Sequence, residues 1–111
     1  MKLGSEFRLF TISQNTTLNV NDLIDDCMNF LRAVALDHRT SEKLLKVEQK
    51  LRQTEKLENI DKMNKRKKEI LFQDIFDILE NISPEGCYFG THPASLSLIG
   101  FWEKNLFSVT R

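Results

Sequence analysis

The stretch "CYFGTHPASLSLIGFW", residues 87–102, decides how the chain is read. It contains the only tyrosine and the only tryptophan, together with Cys87, His92, Pro93 and the glycines at 90 and 100. "CYFGTH" and "LSLIGFWEK" are rich in aromatic and branched residues, and "PAS" between them is turn material, so the stretch reads as a β-hairpin. Gly100 and Gly90 fit close backbone approach or the space beneath aromatic rings.

Working outward, "SPEG" at residues 83–86 is a helix stop and turn. Between Ser5 and Ser83 there is neither glycine nor proline. The first three quarters of the chain can therefore carry long uninterrupted elements, while the last part must turn tightly. Residues 6–13, "EFRLFTIS", read as a strand, and "QNTT" as the turn after it. Residues 21–38 read as an amphipathic helix. Leu23, Ile24, Cys27, Phe30, Leu31, Val34 and Ala35 recur at helical spacing, Asn19 or Asn21 supplies a cap, and His38 stands at the end, where a cation complements the helix dipole. Thr40 or Ser41 can cap a second helix whose pattern persists to Ile82.

That second segment carries a thin apolar seam, Leu44, Val47, Leu51, Leu57 and Ile60, which widens from Ile70 onward into a face that implies cover on most sides. Unbroken, residues 41–82 would span about 60 Å at 1.5 Å per residue. A compact domain of this length has a radius of gyration of about 13 Å. The helix must then either break near Asn64, in "DKMNKRKK", or project and pair with a second subunit. A continuous helix favours self-association along the seam as a homodimer. The expected fold is α+β, a small antiparallel sheet of the N-terminal strand plus the C-terminal hairpin packed on two or three helices, one of them long, in a single domain over residues 1–111. "LFSVT" at residues 106–110 could add a short strand. Gly4-Ser5-Glu6-Phe7 is what two adjacent cloning sites commonly encode, so residues 1–7 carry little weight.

Composition narrows the function. Sixteen Lys and Arg balance sixteen Asp and Glu, and 41% of residues are hydrophobic. A zero net charge argues against a protein that simply coats nucleic acid or anionic membrane. No apolar run reaches the roughly 18 residues of a membrane span, and "MKLGSEFRLF" holds no apolar core of signal-peptide length, which makes the cytoplasm the default location. Two cysteines are too few for a secreted disulfide scaffold, and free buried thiols are the expectation.

Chemistry at the hairpin is disfavoured. Alternation along a strand points Cys87 and His92 to opposite faces, about 16 Å apart at 3.3 Å per residue, beyond the reach of a nucleophile–base pair. Two histidines and two cysteines lack zinc spacing, no glycine-rich phosphate loop is present, and Asp25–Asp26 and Asp74–Asp77 fall on polar helix sides. No enzyme activity, metal or cofactor is expected. Tyr88, His92 and Trp102 remain as either a shallow aromatic face for a ligand or partner or ordinary cross-strand packing. Lys62, Lys65, Arg66, Lys67 and Lys68 form a basic run that could contact phosphates. Without aromatic interleaving it offers no base-stacking platform, and Asp61–Lys65 and Lys65–Glu69 could pair along the helix.

Tyr88-Phe89-Gly90, His92-Pro93 and Gly100-Phe101-Trp102 resemble the closing hairpin of small proteins of unknown role carried by phages and other bacterial mobile elements. The resemblance covers 16 residues. It departs from those proteins at "ASLSLI", which stands where a glycine- and aspartate-rich turn is common, and it implies a bacterial accessory protein without transferring any functional residue. The expected function is thus non-covalent protein–protein interaction with self-association. Nucleic-acid binding through residues 62–68 is the alternative, and a small-ligand or enzyme site at the hairpin comes third.

Overall fold

Side-chain caps, rather than glycine or proline, divide the helical part of the chain. The computed structural model describes residues 1–14 and 19–104. Helix α1, Val20–Ala33, starts at Asn19, whose side chain accepts from the Asp22 amide. Helix α2, His38–Thr54, starts at Asp37, which accepts from the Thr40 amide at 2.9 Å. Helix α3 covers residues 60–81 in three contiguous parts, Ile60–Glu69, a π-helical turn Ile70–Ile75, and Phe76–Asn81. It starts at Asn59, which accepts from the Lys62 amide at 3.0 Å. Each cap satisfies an amide that the first turn would otherwise leave unpaired.

These caps correct three expectations. The first helix ends at Ala33 rather than 38, because Val34 turns to extended backbone and Val34 and Leu36 pack against the core. Asp37, not Thr40 or Ser41, caps the second helix. His38 therefore begins that helix, and its ring pairs with Glu42 one turn on at 2.8 Å. The long segment does break, but at residues 55–59 rather than near Asn64. Thr54 is buried and its hydroxyl donates back to the Lys50 carbonyl at 2.8 Å, a bond that competes with the helix ladder. Lys56 and Leu57 then close a tight turn on Gln53 and Thr54, and Asn59 starts the next helix.

The sheet has strand order β1-β3-β2, all antiparallel, from β1 Thr11–Ser13, β2 Cys87–His92 and β3 Ser95–Glu103. The first strand is shorter than the expected residues 6–13. Ser5–Phe7 form a 3₁₀ turn, and Leu9 takes a left-handed backbone at φ 61°. In the hairpin Gly90 faces Gly100, and the turn falls between His92 and Ser95. Thr91 pairs with Ile99, so residues 96–98 bulge out of register and leave Leu96 75% exposed. The possible strand "LFSVT" and most of the turn "QNTT" lie outside the described residues.

One face of the sheet, carrying Cys87, Phe89, Ile99 and Phe101, joins the apolar faces of all three helices in a single core. Burial of that surface is the main stabilising term. Phenylalanine rings run through the core as a chain, Phe10–Phe7–Phe30–Phe101–Phe89–Phe76–Phe72, with successive centroids 4.9–5.9 Å apart, the spacing that edge-to-face and tilted aromatic pairs favour. In the π turn the Phe76 amide reaches back five residues to the Leu71 carbonyl. Ile70, Leu71, Ile75, Ile78 and Leu79 all point inward. Phe72 does not. It is 55% exposed, so the face from Ile70 onward is less fully covered than its composition implies.

Candidate functional site

Tyr88, His92 and Trp102 come together, but as a closed cluster. Strand alternation turns Tyr88 and Trp102 away from the core face. Trp102 is nevertheless only 4% exposed, and its indole N–H donates to the Gly90 carbonyl at 2.9 Å. His92 stands edge-on to the indole at 4.6 Å, and its Nδ1 accepts from the Ala94 amide at 2.9 Å. The Tyr88 hydroxyl donates to the Thr91 carbonyl at 3.1 Å. Burial raises the Tyr88 phenol above its ordinary pKa. The three rings spend their indole N–H, phenol O–H and imidazole Nδ1 on the hairpin's own backbone, which rigidifies the turn.

The seam residues separate. Leu44 and Val47 are buried in the core and Leu51 packs against it, because α2 packs along α3, chiefly its second half. Leu57 and Ile60, beyond the break, are 42% and 63% exposed. The five residues therefore do not form one external line on one helix, and no 40-residue helix requires a second subunit to cover it.

The basic run splits across α3. Lys67 is structural. Its ammonium donates to Asn21 at 3.1 Å and pairs with Glu55 at 2.9 Å, tying α3 to α1 and to the α2–α3 connection. Lys62, Lys65 and Arg66 instead line a hollow of about 490 Å³ between α2 and α3, shared with Lys50, Gln53, Thr54, Leu57 and Glu69. Four cations thus surround a space with one carboxylate in its wall. That carboxylate, Glu69, pairs with Arg66 at 3.4 Å, and Lys50 also reaches Asp74 at 3.0 Å. Lys62 and Lys65 make no ion pair among the described residues; the Asp61–Lys65 and Lys65–Glu69 pairs expected from spacing are not formed. On the opposite side of α3, Asn64, Lys67 and Lys68 line a smaller hollow of about 290 Å³ with Asn19, Val20 and Asn21 at the start of α1. No aromatic side chain lines either hollow.

Two contributors were missed in the sequence. Lys50 enters the hollow only because the chain turns at residues 55–59. The other is a segregation of charge that was in plain view. Residues 39–68 hold eleven Lys and Arg against five Asp and Glu, and the remainder holds five against eleven. The neutral chain is therefore +6 across α2 and the start of α3, and −6 elsewhere.

The acidic pairs considered as chemistry are partly engaged in packing. Asp26 accepts from the buried Ser13 hydroxyl at 2.7 Å, Asp74 holds Lys50, and Asp77 accepts from Asn81. Cys27 and Cys87 are free and buried. Burial, aided by the neighbouring Asp26 carboxylate, pushes the Cys27 thiol up to about 12, which keeps it protonated and inert near neutral pH. No group of three or more His, Cys, Asp or Glu among the described residues could hold a metal ion. No helix among them is long and apolar enough to cross a membrane. No protein-family description, curated protein or solved structure matches this chain.

Proposed function

We propose that this is a non-catalytic accessory binding protein of the cytoplasm that takes polyanions, nucleic acid above all, in the basic hollow between α2 and α3. A single observation carries the reading. Lys50, Lys62, Lys65 and Arg66 converge from two helices on one hollow whose lining holds a single carboxylate, Glu69, and Lys62 and Lys65 are left without an ion pair among the described residues. Like charges gathered around a concave surface raise the local potential and the local concentration of anions. Zero net charge does not oppose this, because the acidic residues lie mostly outside residues 39–68.

The test is fluorescence anisotropy with a labelled mixed-sequence oligonucleotide at several salt concentrations. Binding should weaken steeply with salt, since neutralising phosphates releases counterions. Reversing Lys62, Lys65 and Arg66 together to glutamate should abolish it, with the helical circular dichroism unchanged because all three side chains lie at the surface. Salt-insensitive binding, or full binding by the reversed variant, would sink the reading.

Self-association is the second reading, favoured by the exposure of Leu57 on the hollow wall and Ile60 at the start of α3. A homodimer formed there would dissociate when both are changed to serine. Light scattering that finds a monomer at micromolar concentration ends that proposal.

A further inference from the structure

Resting on the polyanion reading, we infer that the partner is B-form duplex DNA, with the first half of α3 seated in its major groove. The two hollows flank the same stretch of helix. Lys62, Lys65 and Arg66 line the one beside α2, and Asn64, Lys67 and Lys68 the one beside α1. At 100° per residue these sets fall on opposite sides of α3. A ligand lying in one hollow alone would leave Lys68 idle. A ligand presenting two phosphate rows with a gap between them engages both.

The dimensions agree. Ile60–Glu69 contains no buried residue. A helix with its side chains is about 10–12 Å across, and the major groove is about 12 Å wide. Lys62, Lys65 and Lys68 carry no ion pair among the described residues, so their charge is available. Lys50 extends the positive wall on one flank. On the other, the first residues of α1 bring the positive end of a helix beside Lys68. Exposed Asp61 lies between, where a carboxylate can accept from the cytosine amino group, and exposed Asn64, in the wall beside α1, is of a type that bonds adenine edges.

The alternatives fit less well. Single strands are held mainly by stacking on aromatic rings, and neither hollow has one. The deep, narrow major groove of A-form RNA does not admit a helix.

The experiment compares a labelled 20-base-pair DNA duplex, one of its strands alone, and the same sequence as duplex RNA, each titrated from 50 to 300 mM salt. DNA duplex should bind tightest, with log K falling against log salt by about 3.6 for roughly four phosphates. Lys62→Ala and Lys68→Ala, on opposite flanks, should each flatten that slope by about 0.9, and the double variant by about 1.8. Equal affinity for the single strand or for duplex RNA overturns the inference while leaving the polyanion reading standing. So does a Lys68→Ala variant with an unchanged slope. Failure of all three probes to bind in a salt-dependent manner overturns both.

Discussion

Gly90 and Gly100 face one another across the hairpin, yet they should respond oppositely to the same substitution. A Cβ placed on Gly100 would overlap the Phe10 carbonyl oxygen and lie 3.0 Å from both the Phe10 carbonyl carbon and the Thr11 Cα. These are backbone atoms that cannot rotate aside. A Cβ on Gly90 would meet only the Tyr88 ring, at 3.4 Å. Relieving the clash at Gly100 requires β1 to move off β3, which breaks the bond from the Phe101 amide to the Phe10 carbonyl, now 3.0 Å. Leaving that buried amide unpaired costs about 1–3 kcal/mol, and the overpacking adds about 1–3 kcal/mol. Against this, alanine restricts the unfolded chain and returns about 0.4–1 kcal/mol. Gly100→Ala should therefore destabilise by about 1–5 kcal/mol, centred on about 3, and Gly90→Ala should fall within about 1 kcal/mol of the parent. Urea unfolding followed by circular dichroism, and separately by Trp102 fluorescence, measures both. With a slope of about 1–1.5 kcal/mol per molar urea, Gly100→Ala should lower the midpoint by roughly 2 M. If the two variants unfold within 0.3 M of each other, the close approach of Phe10 to β3 is not what fixes the sheet.

Three further outcomes are expected. The Cys27 thiol, raised to about 12 by burial, keeps its proton in the folded state while the unfolded thiol loses it above about pH 8.5, so stability is fully present below that pH and falls as pH rises. Urea midpoints between pH 8.5 and 10 should decline in the parent and decline less in Cys27→Ala; equal slopes would show that another group is responsible. Asn59→Ala removes the cap of α3 and should cost about 0.5–2 kcal/mol in chemical denaturation, with faster amide exchange at Lys62; unchanged exchange there would refute the cap's role. Glu80 accepts from the outward Phe89 amide at 2.7 Å on the edge strand β2, and Glu80→Ala should leave that edge open to strand pairing, seen in sedimentation as concentration-dependent association that the parent lacks.

Much of the fold was legible, for definite reasons. Leu23, Ile24, Cys27 and Leu31 mark the buried side of α1 by spacing alone, and the concentration of Gly86, Gly90, Pro93 and Gly100 in one short stretch places the hairpin. The break at residues 55–59 was hidden because Leu57 and Ile60 continue the apolar seam at intervals of three, while the interrupting signals, Thr54 back-bonding and Asn59 capping, use residues that also occur inside helices. Asn59 is the same kind of cap as Asn19, but it stands inside an apolar seam that runs on across it, whereas Asn19 stands where such a pattern begins. The closure of Tyr88, His92 and Trp102 upon themselves was equally invisible. It depends on which backbone carbonyl each polar tip reaches, and register decides that.

Charge shows most sharply how a summary number can mislead. Net charge governs behaviour at distances where the whole molecule acts as one point, but ionic screening at 0.1 M cuts interactions off over about 10 Å. Lys62 and Lys68 are about 9 Å apart along α3 at 1.5 Å per residue, so the cations of that half-helix act together on any nearby anion. Acidic residues more than one screening length, about 10 Å, away do little to cancel them. A chain with sixteen charges of each sign can therefore present a strongly positive surface, provided folding gathers one sign. Here the turn at residues 55–59 does so, by bringing Lys50 of α2 across from Lys62 and Arg66 of α3. Straightening that turn into a continuous helix would leave every residue and the net charge unchanged, yet would dissolve the hollow. The candidate site is thus a property of the break, a feature of the helical region that composition and periodicity could not locate.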